Sequence, residues 1–169
     1  IGLLKMINIY MIKVGSELMI DTLNNIFSNT FNTTIQPVGK KLNKAPKINS
    51  QTTRINWSNS LQEINNLVRG LSPYISDNNF LKDKAKCPGA WFFLELDGER
   101  KRIKIIKSKI EKSDKNSNFH IDTDNKTYLK IHKKLQSISL EFLQMEGKRI
   151  MPISEFLLGN PIYPKCRFI

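Results

Sequence analysis

Apolar residues recur at helical spacing near the start of the chain. Leu18, Met19, Thr22, Leu23, Ile26 and Phe27 gather on one largely apolar face, while Lys13, Glu17, Asp21 and Asn24 fall elsewhere. That pattern predicts a helix over residues 10–28. Little else in residues 1–48 could cover the face, so the helix reads as the tail of a larger domain. Periodicity then stops: residues 29–53 contain Pro37, Gly39 and Pro46 among lysines and predict an extended linker. A second helix is expected over residues 60–69. Leu61, Ile64, Leu67, Val68 and Leu71 form its buried stripe, and Ser60 and Glu63 have the spacing of a capping box. Gly70 is expected to stop it in the left-handed conformation, with Pro73 forbidding resumption.

Residues 75–88 are polar and irregular and predict a surface loop or insertion. From Pro88 the pattern turns to strand. Ala90 to Leu96 is aromatic and aliphatic, Asp97-Gly98 is a hairpin turn signal, and Ile103, Ile105 and Ile110 lie on a lysine-interleaved partner. Ser113 to Asn118 is expected as a loop. Phe119 to Asp122 and Thr127 to Ile131 are expected as short strands around Asp124-Asn125. Ser137 to Gln144 supplies a fifth strand, Gly147 a turn, and Pro152 to Leu158 a helical turn closed by Gly159. The fold class is therefore α+β: a short helical N-terminal remnant and linker, then a small five-stranded, OB-like open β-barrel with one preceding helix.

Composition sharpens this in a few places. With 169 residues and 40% hydrophobic content, the chain can bury a core. Met6 to Ile12 is too short to cross a bilayer, and no signal-peptide order is present, so a cytoplasmic protein with no membrane partner is expected. The chain begins at Ile1, which reads as a fragment or a frame opened upstream. Cys87 and Cys166 have no C-x-x-C or histidine company, so no metal site is expected and both read as reduced thiols.

The formal net charge is +12, which favours polyanions. Part of it reflects the chain's richness in Lys, Ile and Asn, which have A/T-rich codons. Placement is more informative. The densest run is Arg100 to Lys112, where only Glu111 opposes seven basic groups. On a strand, Arg102, Lys104 and Ile106 would point one way and Lys101, Ile103, Ile105 and Lys107 the other. Such a row can follow a phosphate backbone without reading bases, although a merely solvated strand face would look the same. Trp57, Tyr74, Trp91, Phe92 and Phe93 could stack on bases, but their apolar neighbours favour packing. His120 and His132 read as exposed strand histidines. No phosphate loop, G-x-S-x-G or H-E-x-x-H is present, and Asp122 and Asp124 lack the glycine and glutamate of an EF-hand.

Several short segments follow one another in a telling order. Ala45-Pro46-Lys47-Ile48 precedes Arg54-Ile55-Asn56-Trp57-Ser58, Glu63-Ile64 and Arg69-Gly70-Leu71-Ser72-Pro73-Tyr74. Pro88-Gly89-Ala90-Trp91 and Gly98-Glu99-Arg100-Lys101-Arg102-Ile103-Lys104-Ile105 come next. Leu143-Gln144-x-x-Gly147-Lys148-Arg149 and Glu155-Phe156-Leu157-Leu158-Gly159 close the series. Over nearly the whole chain this resembles the C-terminal half of the methionyl-tRNA formyltransferase family. The early helix and Ile35-Gln36-Pro37 look like the end of that family's catalytic domain. One departure is the stretch Ile75 to Cys87, which intervenes before Pro-Gly-Ala-Trp. The other is that no residue matches the family's catalytic Asn, His and Asp, so no catalytic residue is carried over.

The resemblance implies a division into residues 1–38, the C-terminal remnant of a Rossmann-like catalytic domain; 39–53, a basic linker; and 54–169, an OB-like tRNA-binding domain. It implies an enzyme that formylates the methionine of initiator methionyl-tRNA with 10-formyltetrahydrofolate as co-substrate. This chain, inactive alone and expected to be a monomer, would hold the tRNA for a catalytic domain that it lacks. The residues expected at the tRNA are Lys40, Lys41, Lys44 and Lys47 in the linker, Arg100, Lys101, Arg102, Lys104 and Lys107 on the barrel, and Lys148 and Arg149. Asn56, Trp57, Pro73, Gly89 and Trp91 are assigned to structure. Two other readings stay open: a tRNA-binding module without activity, and the tail of a sugar-nucleotide formyltransferase.

Overall fold

The structure is a computed structural model that describes residues 3–36, 39, 45–76, 79–80, 88–96 and 98–169. Helix α1 (Leu3–Phe27) begins well before residue 10. It ends where Asn29, at φ 53°, turns the chain and the Thr30 amide donates to the Asn25 carbonyl at 2.9 Å. The expected single apolar face is too narrow a description. Tyr10, Met11 and Ile12, then Leu18, Met19 and Ile20, are exposed in succession, so apolar surface runs around the helix.

Helix α2 (Leu61–Leu71) has the predicted capping box. The Glu63 amide donates to Ser60 Oγ at 3.2 Å, and the Ser60 amide donates to Glu63 Oε2 at 2.9 Å. Ser60 Oγ also donates to Glu63 Oε2 at 2.7 Å, and this bond, followed by the one from the Ser60 amide, holds the Glu63 carboxyl below its usual range. Gly70 is not a left-handed stop: it lies within the helix. The helix ends because Pro73 follows Ser72, which is extended at φ −80°. Leu61, Ile64, Val68 and Leu71 are buried.

Between this helix and the sheet the chain makes an excursion. It includes a two-stranded ladder, β1 (Tyr74–Ser76) with β2 (Asn79–Phe80), in place of part of the irregular loop expected there. The excursion closes on itself: the Gly89 amide donates to the Leu71 carbonyl at 3.2 Å. Leu71 and Gly89, which flank this stretch, therefore meet in the domain, and chain placed between two such points costs a fold little.

The remaining strands are β3 (Ala90–Leu96), β4 (Glu99–Thr123), β5 (Leu129–Met145), β6 (Ile150–Pro152) and β7 (Arg167–Phe168). They form a five-stranded antiparallel sheet in the order β6-β5-β4-β3-β7. The sheet ends at β6 and β7 and is not closed. The chain is thus α+β, as expected, but several strand boundaries are corrected. Ser113 to Asn118 is not a loop, and the short strands expected around Asp124-Asn125 fall within β4 and, from Leu129 onward, β5. The polar run stays in the ladder because register shifts between Lys112 and His120 absorb the extra residues. Ser113 Oγ and His132 Nδ1, buried and 2.6 Å apart, then replace the missing apolar contact. Helix α3 (Ile153–Gly159) includes Gly159 and ends at Asn160.

The core lies between α2, α3 and one face of the sheet. Ile55, Leu61, Ile64 and Val68 meet Phe92, Leu94, Ile103, Ile105, Ile131, Ile138, Leu140, Leu143, Phe156 and Leu157. Lys133 pins the segment before α2 to this frame. Its ammonium donates to the carbonyls of Trp57 (3.0 Å), Ser58 (2.6 Å) and Asn59 (2.7 Å). Among the described residues no helix is long and apolar enough to cross a membrane.

Candidate nucleic-acid interface

Alternation along β3 sends Ala90, Phe92, Leu94 and Leu96 into the core and Trp91, Phe93 and Glu95 to the opposite face. Register then decides which cations join them. Trp91 pairs with Lys104, Phe93 with Arg102, and Glu95 with Arg100. On the other side, Arg54 bridges to Trp91 and Arg167 pairs with Glu95. Gln144 extends the first row as the partner of Lys104. The outer face therefore carries Arg54, Arg100, Arg102, Lys104 and Arg167, opposed on these rows by Glu95.

The aromatic rings serve this face as a bed rather than as a stacking surface. Trp91 is only 8% exposed, and its Nε1 donates to the Ser50 carbonyl at 2.9 Å and to Thr53 Oγ1 at 3.1 Å. The Arg102 guanidinium lies 4.2 Å from the Trp91 ring centre. Arg54 lies 5.7 Å from Trp91 and 5.7 Å from Phe93. A guanidinium on an aromatic face keeps its charge while its lateral freedom is restricted. The Arg102 Nε is buried and has no acceptor among the described residues. Lys104 Cδ passes 3.1 Å from where a Cβ on Gly89 would sit, and Gly89 has φ +74°, so this position requires glycine.

The structure brings together only some of the cations expected from sequence. Arg100, Arg102 and Lys104 share the outer face, with Arg100 Nε 3.2 Å from Glu95 Oε2. Lys101 pairs with Leu94 and belongs to the opposite face, with its Nζ 4.0 Å from Glu99. The alternation predicted through Ile106 and Lys107 does not hold, because the register slips there. Ile106 is buried instead of standing in the outer row. Lys107 is 2.6 Å from Glu141 and 4.7 Å from the centre of the Tyr74 ring. The hydrogen bond to Glu141 raises its pKa above the usual lysine range.

Lys148 is exposed on the β5–β6 turn, where its carbonyl accepts from Gln144 Nε2 at 3.0 Å. Arg149 is paired with Glu155 at 2.5 Å. Lys47 is exposed, whereas Lys40, Lys41 and Lys44 lie outside the described residues, as does Cys87. Arg54 and Arg167 were not singled out from sequence. Arg54 stands beside an Asn-Trp pair read as structural, and Arg167 sits in a tail with no periodic signal.

Of the two histidines, one departs from expectation. His120 is exposed, but His132 is buried, with Ser113 on Nδ1 and Asp122 Oδ2 at 3.3 Å from Nε2. Burial lowers the His132 pKa. A hydrogen bond from Lys115 is the main cause that holds the Asp122 carboxyl below its usual range. Among the described residues no cluster of His, Cys, Asp and Glu could hold a metal.

Residues 47–161 match the family described as formyl transferase, C-terminal domain. Over 149 residues the chain is 35% identical to the methionyl-tRNA formyltransferase of Flavobacterium johnsoniae, covering 88% of this chain and 43% of that protein. It is 35% identical over 156 residues to the methionyl-tRNA formyltransferase of Azobacteroides pseudotrichonymphae, covering 87% and 44%. With that of Parabacteroides distasonis it shares 36% identity over 123 residues, covering 70% and 33%. The chain thus spans less than half the length of these curated relatives.

Proposed function

The chain belongs to the formyltransferase family through its C-terminal domain, and we propose from that premise that it is the tRNA-holding portion of a methionyl-tRNA formyltransferase. The whole enzyme would move the formyl group of 10-formyltetrahydrofolate to the amino group of methionine carried by initiator tRNA, in the cytoplasm and as a monomer. Residues 1–38 would close its catalytic domain, 39–53 would form the basic linker, and 54–169 would be an OB-like tRNA-binding domain whose sheet stays open. The exposed apolar surface of α1 fits the first assignment, because a helix of this kind needs a covering partner. No chemical step falls to the residues of this chain.

The observation that carries the reading is the row structure of the outer sheet face. Arg54, Arg102 and Lys104 are set around the buried Trp91, and Arg100 and Arg167 flank Glu95. Fixed cations of this kind suit phosphates, and they contact the backbone without reading sequence. Lys47 and Lys148 extend the positive surface, and Lys40, Lys41 and Lys44 are assigned to it through the linker. Lys101, Lys107 and Arg149 keep their place in the assignment as secondary groups, since none of them stands in the rows around Trp91 and Glu95.

The test is tRNA binding by the full chain at stepped salt concentrations. Affinity should fall steeply with salt. Arg54→Gln with Arg102→Gln should weaken binding and flatten the logarithmic salt slope by about 1 for each contact removed. Binding that ignores both salt and these substitutions would sink the reading.

A further inference from the structure

A cleft of about 810 Å³ opens between the far end of the β4–β5 hairpin and the C-terminal segment. Its lining includes the aromatic residues Phe119, Tyr163 and Phe168, with His120 and, at the edge where the outer sheet face meets it, Arg167. Its size is that of pockets which enclose small organic ligands.

The wall is held in place from behind. Phe168 stacks on Phe92 with centroids 5.0 Å apart and planes 6° apart. Trp57 meets Phe119 edge-on at 5.8 Å and Phe168 at 5.6 Å. Across the mouth, Asn125 clasps the backbone of Ile162: its Nδ2 donates to the carbonyl at 3.0 Å, and its Oδ1 accepts from the amide at 2.8 Å. The cleft is thus formed before any ligand arrives. Phe119 and Tyr163 nevertheless remain 40% and 53% exposed, and both residues line the same opening.

The charges in the cleft are unequal in availability. Asp122 is engaged by Lys115 at 2.8 Å, by Tyr128 Oη at 3.3 Å and by His132 at 3.3 Å. Arg167 is exposed and makes no ion pair among the described residues. It is also the outermost cation of the sheet face, paired in register with Glu95. A polyanion following that face would therefore reach the cleft at Arg167.

We propose that this cleft takes one unpaired nucleotide of the bound RNA, with its base against Phe119 and Tyr163 and its phosphate at Arg167. The inference rests on the RNA-binding reading above and adds a second mode to it. The sheet face holds backbone by charge, and the cleft holds a splayed base by its ring face, which every base offers. An apolar metabolite would leave Arg167 unused, and a bare anion would leave the two exposed rings unused. A nucleotide uses both.

The full chain is titrated with adenosine 5′-monophosphate, adenosine and ribose 5-phosphate, followed by amide chemical shifts, with tRNA retardation run in parallel. The monophosphate should bind more tightly than either fragment and shift amides of residues 119–125 and 162–169. Phe119→Leu keeps an apolar side chain and removes the ring; it should weaken the monophosphate about tenfold. Arg167→Gln should bring the monophosphate down to the level of adenosine. Equal binding of the monophosphate and ribose 5-phosphate, or no effect of Phe119→Leu, would overturn the proposal. If tRNA is retained while the monophosphate does not bind, the cleft assignment fails and the sheet-face reading stands. If the monophosphate binds as described but tRNA does not, the tRNA reading fails and the cleft is a nucleotide site in its own right.

Discussion

The guanidinium of Arg102 lies 4.2 Å from the centre of the Trp91 ring, diagonally across the β3–β4 ladder. Neither residue is the register partner of the other: Trp91 pairs with Lys104 and Arg102 with Phe93. The contact exists because diagonal neighbours on one face of an antiparallel pair come within reach of long side chains. It couples a buried ring to an outward cation and so ties packing to charge placement.

That coupling is measurable. A double-mutant cycle on Arg102→Gln and Trp91→Phe should return about 0.5–1 kcal/mol of interaction in chemical unfolding. Arg102→Lys should keep the charge and still lose part of the tRNA affinity, because an ammonium does not stack as a guanidinium does. Additive single effects would mean that the ring does not organise the cation.

Gly89 offers a backbone route to the same face. Its φ of +74° disfavours any other residue, and a Cβ there would stand 3.1 Å from Lys104 Cδ. Gly89→Ala should destabilise the fold by about 1–2 kcal/mol. It should also weaken tRNA binding beyond what the lost stability explains, because Lys104 must move aside. Urea unfolding and retardation assays on the same variant separate the two effects.

Lys133 should matter for stability and not for RNA. Its ammonium holds three consecutive carbonyls, those of Trp57, Ser58 and Asn59. Lys133→Met keeps much of the stem and abandons the carbonyls, at a cost of about 1–3 kcal/mol. Urea midpoints should fall while tRNA affinity at 25 °C stays near that of the parent. A selective loss of tRNA binding would instead make Lys133 a contact residue.

The buried His132 predicts a pH dependence with a definite sign. Burial lowers its pKa from the ordinary 6.5, so the unfolded chain binds a proton that the folded chain resists. Stability is therefore full above about pH 6.5 and declines as pH falls below it. Asp122 acts in a lower window. Its depressed pKa contributes stability above the usual carboxylate value of 3.8, lost as pH falls through the folded value. His132→Gln should remove the first decline and leave the second, as read by unfolding midpoints between pH 7.5 and 3. An unchanged upper decline would assign it to another group.

How much of this was legible depended on the kind of signal. The capping box at Ser60 and Glu63, the Asp97-Gly98 turn and strand β3 rest on neighbouring residues, and the structure follows them at Ser60–Glu63, Gly98 and Ala90–Leu96. Long β4 was read in pieces because its middle is polar, and the Ser113–His132 bond that keeps it in the ladder joins residues 19 positions apart. The site divided in the same way. The basic run from Arg100 was visible as composition, whereas Arg54 and Arg167 joined it only through pairing with β3.

The sequence by itself determined helix α2 with its capping box, strand β3, the α+β class, the positive charge and the family, since each is carried by spacing, composition or ordered short segments. Tertiary structure alone decided which cations share a face. Facing in a strand depends on the parity of every residue before it, and one register slip near Ile106 turns that parity over. It also decided that Trp91 lies beneath guanidiniums and that His132 is buried. Both depend on partners distant along the chain, and no local pattern encodes such contacts.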